Sequence, residues 1–171
     1  MKLGERIHLA PPLHDAEARF MSIAGRLARL VPRACVEHIG STAVPNLYGK
    51  PVIDVMLEWP SGADMAALVE ALESDGFWHW YLDPFRASRL MFVDWADKGL
   101  SPTRRANVHV TPVDGDFWRC QIAFRNALRE SPRLRDEYAA LKRELAARFP
   151  EELEAYTDGK TAFIRGVVAR L

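Results

Sequence analysis

The stretch Val36–Trp59, VEHIGSTAVPNLYGKPVIDVMLEW, decides the fold, because it sets a Gly-Ser turn and a lone carboxylate between two apolar runs. The first run, Ala34 to Ile39, ends at Gly40-Ser41-Thr42. These small residues tolerate tight turns and let backbone N–H groups approach a ligand closely, so the turn is of a kind that holds a phosphate. After a connection carrying Pro45, Gly49, Lys50 and Pro51, the run Val52 to Trp59 reads as a strand of β-branched and large apolar residues. With a side-chain period of two, Ile53, Val55, Leu57 and Trp59 line one face and Val52, Asp54, Met56 and Glu58 the other. Asp54 therefore stands mid-strand, where a carboxylate needs a reason.

Working outward, Asp15 is placed to cap a helix reaching Leu30, with Phe20, Ile23, Leu27 and Leu30 as its apolar stripe and Pro32 beyond its end. After the two strands, Ser61 or Asp64 starts a helix whose Leu68, Val69 and Leu72 face the core before Asp75-Gly76 stops it. Phe77 to Tyr81, Arg89 to Trp95 and Val108 to Val113 read as further strands. A polar loop with Lys98-Gly99, Pro102 and Arg104-Arg105 separates the last two and is expected to be mobile. From Asp116 the pattern turns helical. Phe117, Gln121, Phe124 and Leu128 share one face; Ser131-Pro132 then opens a helix with Leu134, Tyr138, Leu141, Leu145 and Phe149 inward. Pro150 separates a last helix, Glu151 to Leu171, with Leu153, Tyr156, Phe163, Val167 and Leu171 along one side and Gly159 and Gly166 as weak points. The fold class expected is α+β, a mixed sheet flanked by helices with a helical C-terminal half, in one domain spanning residues 1–171.

The opening segment resembles the GrpB family, in a His-Ile-Gly-Ser-Thr-Ala-Val-Pro stretch at His38 to Pro45 and a Lys-Pro-(apolar)₂-Asp strand at Lys50 to Asp54. Asn107-Val108-His109-Val110 looks like that family's His-containing strand, and Phe124-Arg125-Asn126-Ala127-Leu128-Arg129 looks like its Phe-Arg-Asp-x-Leu-Arg helix. Tyr138 with Lys142, and Tyr156 with Lys160 and Phe163-Ile164, complete a likeness that covers nearly the whole chain. The resemblance implies a nucleotidyltransferase-like fold in which the Gly-Ser turn and the Asp strand bracket a cleft that the C-terminal helices close. Asn126 departs from the usual Asp, which puts in doubt any role needing negative charge there.

Composition bounds the rest. The 171 residues are 49% hydrophobic and 27% charged, a globular balance. With 23 basic and 23 acidic residues, nothing favours long-range attraction to nucleic acid or to a membrane surface, and neither is expected as a partner. No run approaches the roughly 20 apolar residues of a membrane span, and the N-terminus lacks a signal-peptide core, so a cytoplasmic protein is expected. Cys35 and Cys120 have no metal-type spacing and read as free thiols buried like small hydrophobes.

Nucleotidyl transfer needs carboxylates close enough to share divalent metals, and superfamily members place two acids two residues apart on a strand. Here the second position is Met56, whose thioether is a poor ligand for Mg²⁺. Glu58 shares Asp54's face, but four residues at about 3.3 Å each separate them by roughly 13 Å. Asp54 is the candidate catalytic residue, and His38 and His109 join it as candidate ligands for Mg²⁺ or another divalent metal if their strands neighbour its own; hydrogen bonding beside the sheet is their alternative. Gly49-Lys50 followed by Pro51 is no Walker motif, since the Ser/Thr that would bind Mg²⁺ is missing. Lys50 instead offers a phosphate a point charge, or is solvated. Gly40, Ser41 and Thr42 are candidates for phosphate contact rather than nucleophilic attack, because no GxSxG elbow is present. Arg125, Lys142 and Lys160, with Tyr156, make an anion site if their helices converge; surface ion pairing is the alternative. Tryptophans 59, 78, 80, 95 and 118 are expected in the core or as cleft walls.

Three functions follow as expectations. One is binding of a nucleotide or phosphorylated metabolite in the cleft, with nucleotidyl transfer as its extension. A second, implied by a resemblance to domains fused to dephospho-coenzyme A kinases, is an accessory module whose partner is an enzyme of coenzyme A biosynthesis or a folding client. A third, hydrolysis or phosphotransfer through a single Asp/His metal site, depends on His38 or His109 approaching Asp54.

Overall fold

Strand Ile53–Glu58 is the centre of the architecture, because its two faces build two different layers. The computed structural model describes residues 6–81, 89–96 and 103–171. In chain order the elements are α1 (Ala16–Leu30), β1 (Val36–Ile39), a 3-10 turn (Ser41–Ala43), β2 (Ile53–Glu58), α2 (Met65–Ser74), β3 (Trp78–His79) and β4 (Leu90–Trp95). Then come β5 (Arg104–Thr111), α3 (Asp116–Glu130), α4 (Pro132–Arg148) and α5 (Leu153–Val168). The five strands form one mixed sheet ordered β1-β2-β5-β4-β3. Only β2 and β5 run parallel, with Asp54 opposite Asn107 and Met56 opposite His109.

Ile53, Val55 and Leu57 point to one layer, where they are buried with Phe92, Val108 and Val110 against Leu27 of α1 and Leu72 of α2. Each fully buried aliphatic side chain contributes about 1.5–3 kcal/mol, so the alternation alone pins the register of β2. On the opposite face Ile39 and Met56 pack against Trp118 of α3. A separate apolar cluster joins Phe124, Leu128, Tyr138 and Val167, so α3, α4 and α5 form their own small core beside the sheet.

Local chemistry explains two of the five described helix starts. The Asp64 carboxylate accepts from the N–H groups of Ala66 and Ala67 at 2.9 and 3.4 Å, and Ser131 caps α4 through Leu134 with Pro132 in the first turn. Asp15 does precede α1, but its carboxylate accepts from Arg19 at 2.8 Å instead of capping the backbone.

Five expectations are corrected. β5 begins at Arg104, so Arg104-Arg105 belong to a strand and not to a loop, and it ends at Thr111 rather than Val113; residues 97–102 lie outside the described residues. Arg104 is drawn into the sheet by Trp80 and Trp95, whose rings its guanidinium covers at 4.8 and 5.4 Å. Cys35 is exposed and Cys120 only partly covered, because neither lies on a core stripe. Trp78 is 47% exposed on the short β3, and Leu171, past the end of α5, is 75% exposed.

Candidate functional site

Strand register sorts the candidate residues before any distance is measured. Neighbouring residues in a ladder share a face, so Asp54, Asn107 and His109 project together toward the C-terminal helices. Asn107 Nδ2 donates to Asp54 Oδ1 at 2.8 Å, and His109 Nε2 stands 3.8 Å from the same oxygen. The other carboxylate oxygen lies against Gly40, where a Cβ would come within 2.3 Å of Oδ2. Gly40 has φ +69° and ψ −167°, a region open essentially to glycine alone. The turn and the carboxylate thus fit because no side chain stands between them.

His38 goes elsewhere. It opposes Val55 in the antiparallel ladder and so faces α1, where its ring stacks on Phe20 at 4.6 Å with 6° between planes. Its Nε2 lies 3.0 Å from Thr42 Oγ1. Burial lowers its basicity despite the opposing charges of Glu17 and Asp54. The structure does not bring His38 and His109 to a common point with Asp54.

Two lysines do come to the neighbourhood of the turn and Asp54. Lys142 of α4 is 1% exposed, and its Nζ donates to Ser41 Oγ at 2.9 Å and to the carbonyl of Tyr48. It also lies 4.8 Å from the Tyr138 ring centre. Gly49 permits this approach, since a Cβ there would meet Ser41 Cβ at 2.4 Å and Lys142 Nζ at 3.6 Å. Lys160 of α5 is half-buried with its Nζ 4.3 Å over the Tyr156 ring. Both pairs are four apart on a helix, as the sequence spacing predicts.

The electrostatics tie these groups to one carboxylate. Burial lowers Lys142 to about 7, with the charges of Lys160 and Arg143 acting the same way and Asp54 opposing. Burial lowers Lys160 to about 8, where Asp54 raises it and Lys50 lowers it. Burial and the Asp54 charge push Tyr156 up to about 12. Burial works to raise Asp54 itself, but His109, Asn107 and the charge of Lys160 outweigh it and hold the carboxyl below its ordinary range. Lys142 and Lys160 thus share one carboxylate, Asp54, while Lys50 acts on Lys160.

Arg125 is not part of that convergence. Its guanidinium donates to Glu37 Oε2 at 2.6 Å and to the His38 carbonyl at 2.8 Å, fastening α3 to β1. Glu58 is likewise occupied, accepting from the Cys35 N–H at 2.7 Å. The site residue that sequence reasoning passed over is Asn107. Its signal was parity: it precedes His109 by two and so shares its face.

The donor set bears on the divalent metal that the resemblance implies. The positions flanking Asp54 are Met56, Asn107 and His109, and among the described residues no three His, Cys, Asp or Glu side chains stand together as a metal would require. A hard cation needs several oxygen ligands, and one carboxylate beside two lysines does not fit it.

Comparison with known proteins gives the family. The model of the family described as GrpB protein matches residues 6–170. This chain belongs to the GrpB family. It is 39% identical over 149 residues to a UPF0157 protein of Pseudomonas aeruginosa, covering 85% of this chain and 58% of that one. To a UPF0157 protein of Deinococcus radiodurans it is 33% identical over 153 residues, covering 90% and 76%. A dephospho-CoA kinase of Mycolicibacterium paratuberculosis is 28% identical over 188 residues, of which this chain spans 46% of the length. The crystal structure of GrpB from Enterococcus faecalis superposes with a TM-score of 0.74 at 29% identity, over 95% of this chain and 96% of that one. Cid1 poly(U) polymerase with MgGTP bound gives 0.55 at 16% identity, over 81% and 44%, a likeness of fold alone. The GrpB architecture here is thus α+β and nucleotidyltransferase-like. No helix among the described residues is long and apolar enough to cross a membrane.

Proposed function

We propose that this GrpB protein is a cytoplasmic binder of a nucleotide or another phosphorylated metabolite, held between the Gly40-Ser41-Thr42 turn, Asp54 and the lysines of α4 and α5. The observation that carries this is Lys160. Its ammonium is half-buried over the Tyr156 ring, Lys50 and Lys142 add positive charge nearby, and the Asp54 carboxylate opposes the lowering of Lys142 and Lys160. A phosphate dianion would neutralise that excess and accept hydrogen bonds from it. Binding, not nucleotidyl transfer, is what this donor set suits, since Met56 and Asn107 stand where further acids would be needed. The test is thermal unfolding with a panel of nucleoside mono- and triphosphates, with and without EDTA. At least one is expected to raise the midpoint, and Lys160→Met to remove the rise; no shift across the panel overturns the proposal.

A second reading rests on the dephospho-CoA kinase relative, of which this chain spans 46%. In that reading the domain is an accessory module for an enzyme of coenzyme A biosynthesis or for the folding of a partner. Isothermal titration of the purified chain into a dephospho-CoA kinase decides it, and absence of measurable heat at micromolar concentrations removes it.

A further inference from the structure

Beside the Ser41–Thr42 turn lies a cavity of about 330 Å³ to which neither Asp54, Lys142 nor Lys160 contributes a wall. One side is Pro11, Pro12 and Leu13; the other is formed by Val44, Pro45 and Leu47. Ser41 and Thr42 supply hydroxyls, His14 and Lys50 bring basic groups, and no Asp or Glu lines it. An apolar body with a few converging donors is how small-ligand sites are built, and this volume sits near the lower end of their range of roughly 300–1,000 Å³.

The proline wall is pinned in advance. Ala10 and Gly49 exchange both backbone hydrogen bonds, at 2.8 and 3.2 Å, and the Ile7 N–H donates to the Pro150 carbonyl at 2.7 Å. Proline fixes φ, so a ligand would not have to order this segment on binding. The Ser41 hydroxyl is polarised from behind. In its protonated form Lys142 can only donate, so Ser41 Oγ then accepts from it at 2.9 Å and keeps its own proton for another acceptor. Among the described residues no acceptor takes it.

We propose that this cavity holds the organic body of a compact phosphomonoester, of mononucleotide size or smaller, lying on Pro11, Pro12 and Leu47 while a phosphate oxygen accepts the Ser41 proton. The proposal rests on the phosphate-binding reading of the adjoining cleft and extends it to the body of the ligand. The basic lining and the absence of Asp or Glu from it favour an anion, and the volume suits a body of about mononucleotide size.

The test is methyl NMR on the whole chain with labelled leucine and valine, titrated with AMP, GMP, CMP, ribose 5-phosphate and, separately, inorganic phosphate. One of the organic phosphates is expected to move the Leu13, Val44 and Leu47 methyls, inorganic phosphate to leave them nearly still, and Ser41→Ala to weaken that binding about tenfold. An organic phosphate that moves the Leu145 and Leu153 methyls but not Leu13 or Leu47 overturns the cavity and leaves the cleft reading standing. Cavity shifts that persist at unchanged affinity in Lys160→Met sink the lysine reading and keep the cavity. No response to any of these compounds at millimolar concentration overturns both.

Discussion

The Lys142 ammonium donates to the Ser41 hydroxyl at 2.9 Å, joining α4 to the turn after β1 across 101 residues of sequence. A lysine that is 1% exposed carries a large desolvation cost, and its partners here are a hydroxyl and a carbonyl, not a carboxylate.

That cost has a pH signature. Burial lowers Lys142 to about 7 and Lys160 to about 8 from an ordinary 10.5. The unfolded chain therefore holds protons that the folded chain releases between those values, and stability rises with pH across the interval. The denaturant midpoint is expected to climb from about pH 7 to about pH 9.5, with a shallower climb in Lys142→Met. A wild-type midpoint that stays flat over this range contradicts the placement of the lysines.

Asp54→Asn keeps the hydrogen-bonding shape beside Asn107 and removes the charge that offsets the lysines. At about pH 6.5, where both lysines are protonated, inorganic phosphate in EDTA is expected to bind roughly fivefold more tightly to the variant. Isothermal titration measures it. Weaker binding would mean that Asp54 itself helps to hold the anion.

Gly40→Ala meets two obstacles, a backbone conformation that residues with a Cβ rarely adopt and the Asp54 carboxylate 2.3 Å away. A loss of roughly 3 kcal/mol or more in unfolding free energy is expected. Gly25→Ala is the control, since nothing lies within 4 Å of a Cβ there and the residue is helical. Equal behaviour of the two variants would show that the turn is not packed against Asp54.

Arg125→Met separates structure from binding. The guanidinium joins α3 to Glu37 and to the His38 carbonyl, and its loss leaves that carbonyl without this donor. Unfolding free energy is expected to fall by about 2–3 kcal/mol, while phosphate affinity of the folded variant changes less than twofold. A large loss of affinity with little loss of stability would return Arg125 to the anion site.

The alternation Ile53, Val55, Leu57 against Asp54, Met56 was legible because side-chain direction in a strand is a local property, and the same holds for the Asp64 and Ser131 caps. The strand at Arg104-Arg105 was not legible. Two arginines suggest a loop until Trp80 and Trp95, distant in sequence, cover one of them. Cys35 and Cys120 misled for a related reason: residue type gives a tendency toward burial, and position relative to a packed face decides it.

From its sequence this chain determined an α+β fold of the GrpB family, the Gly-Ser turn, and a strand with one acid where metal-dependent transfer would need two. Those features follow from short-range periodicity, turn chemistry and residue identity. Only the tertiary structure decided which charges meet. Antiparallel pairing turned His38 toward α1, parallel pairing set Asn107 and His109 beside Asp54, and helix docking carried Lys142 and Lys160 to the cleft while committing Arg125 to β1. Pairing register and helix docking are set by contacts between segments far apart in the chain, so no single segment encodes them.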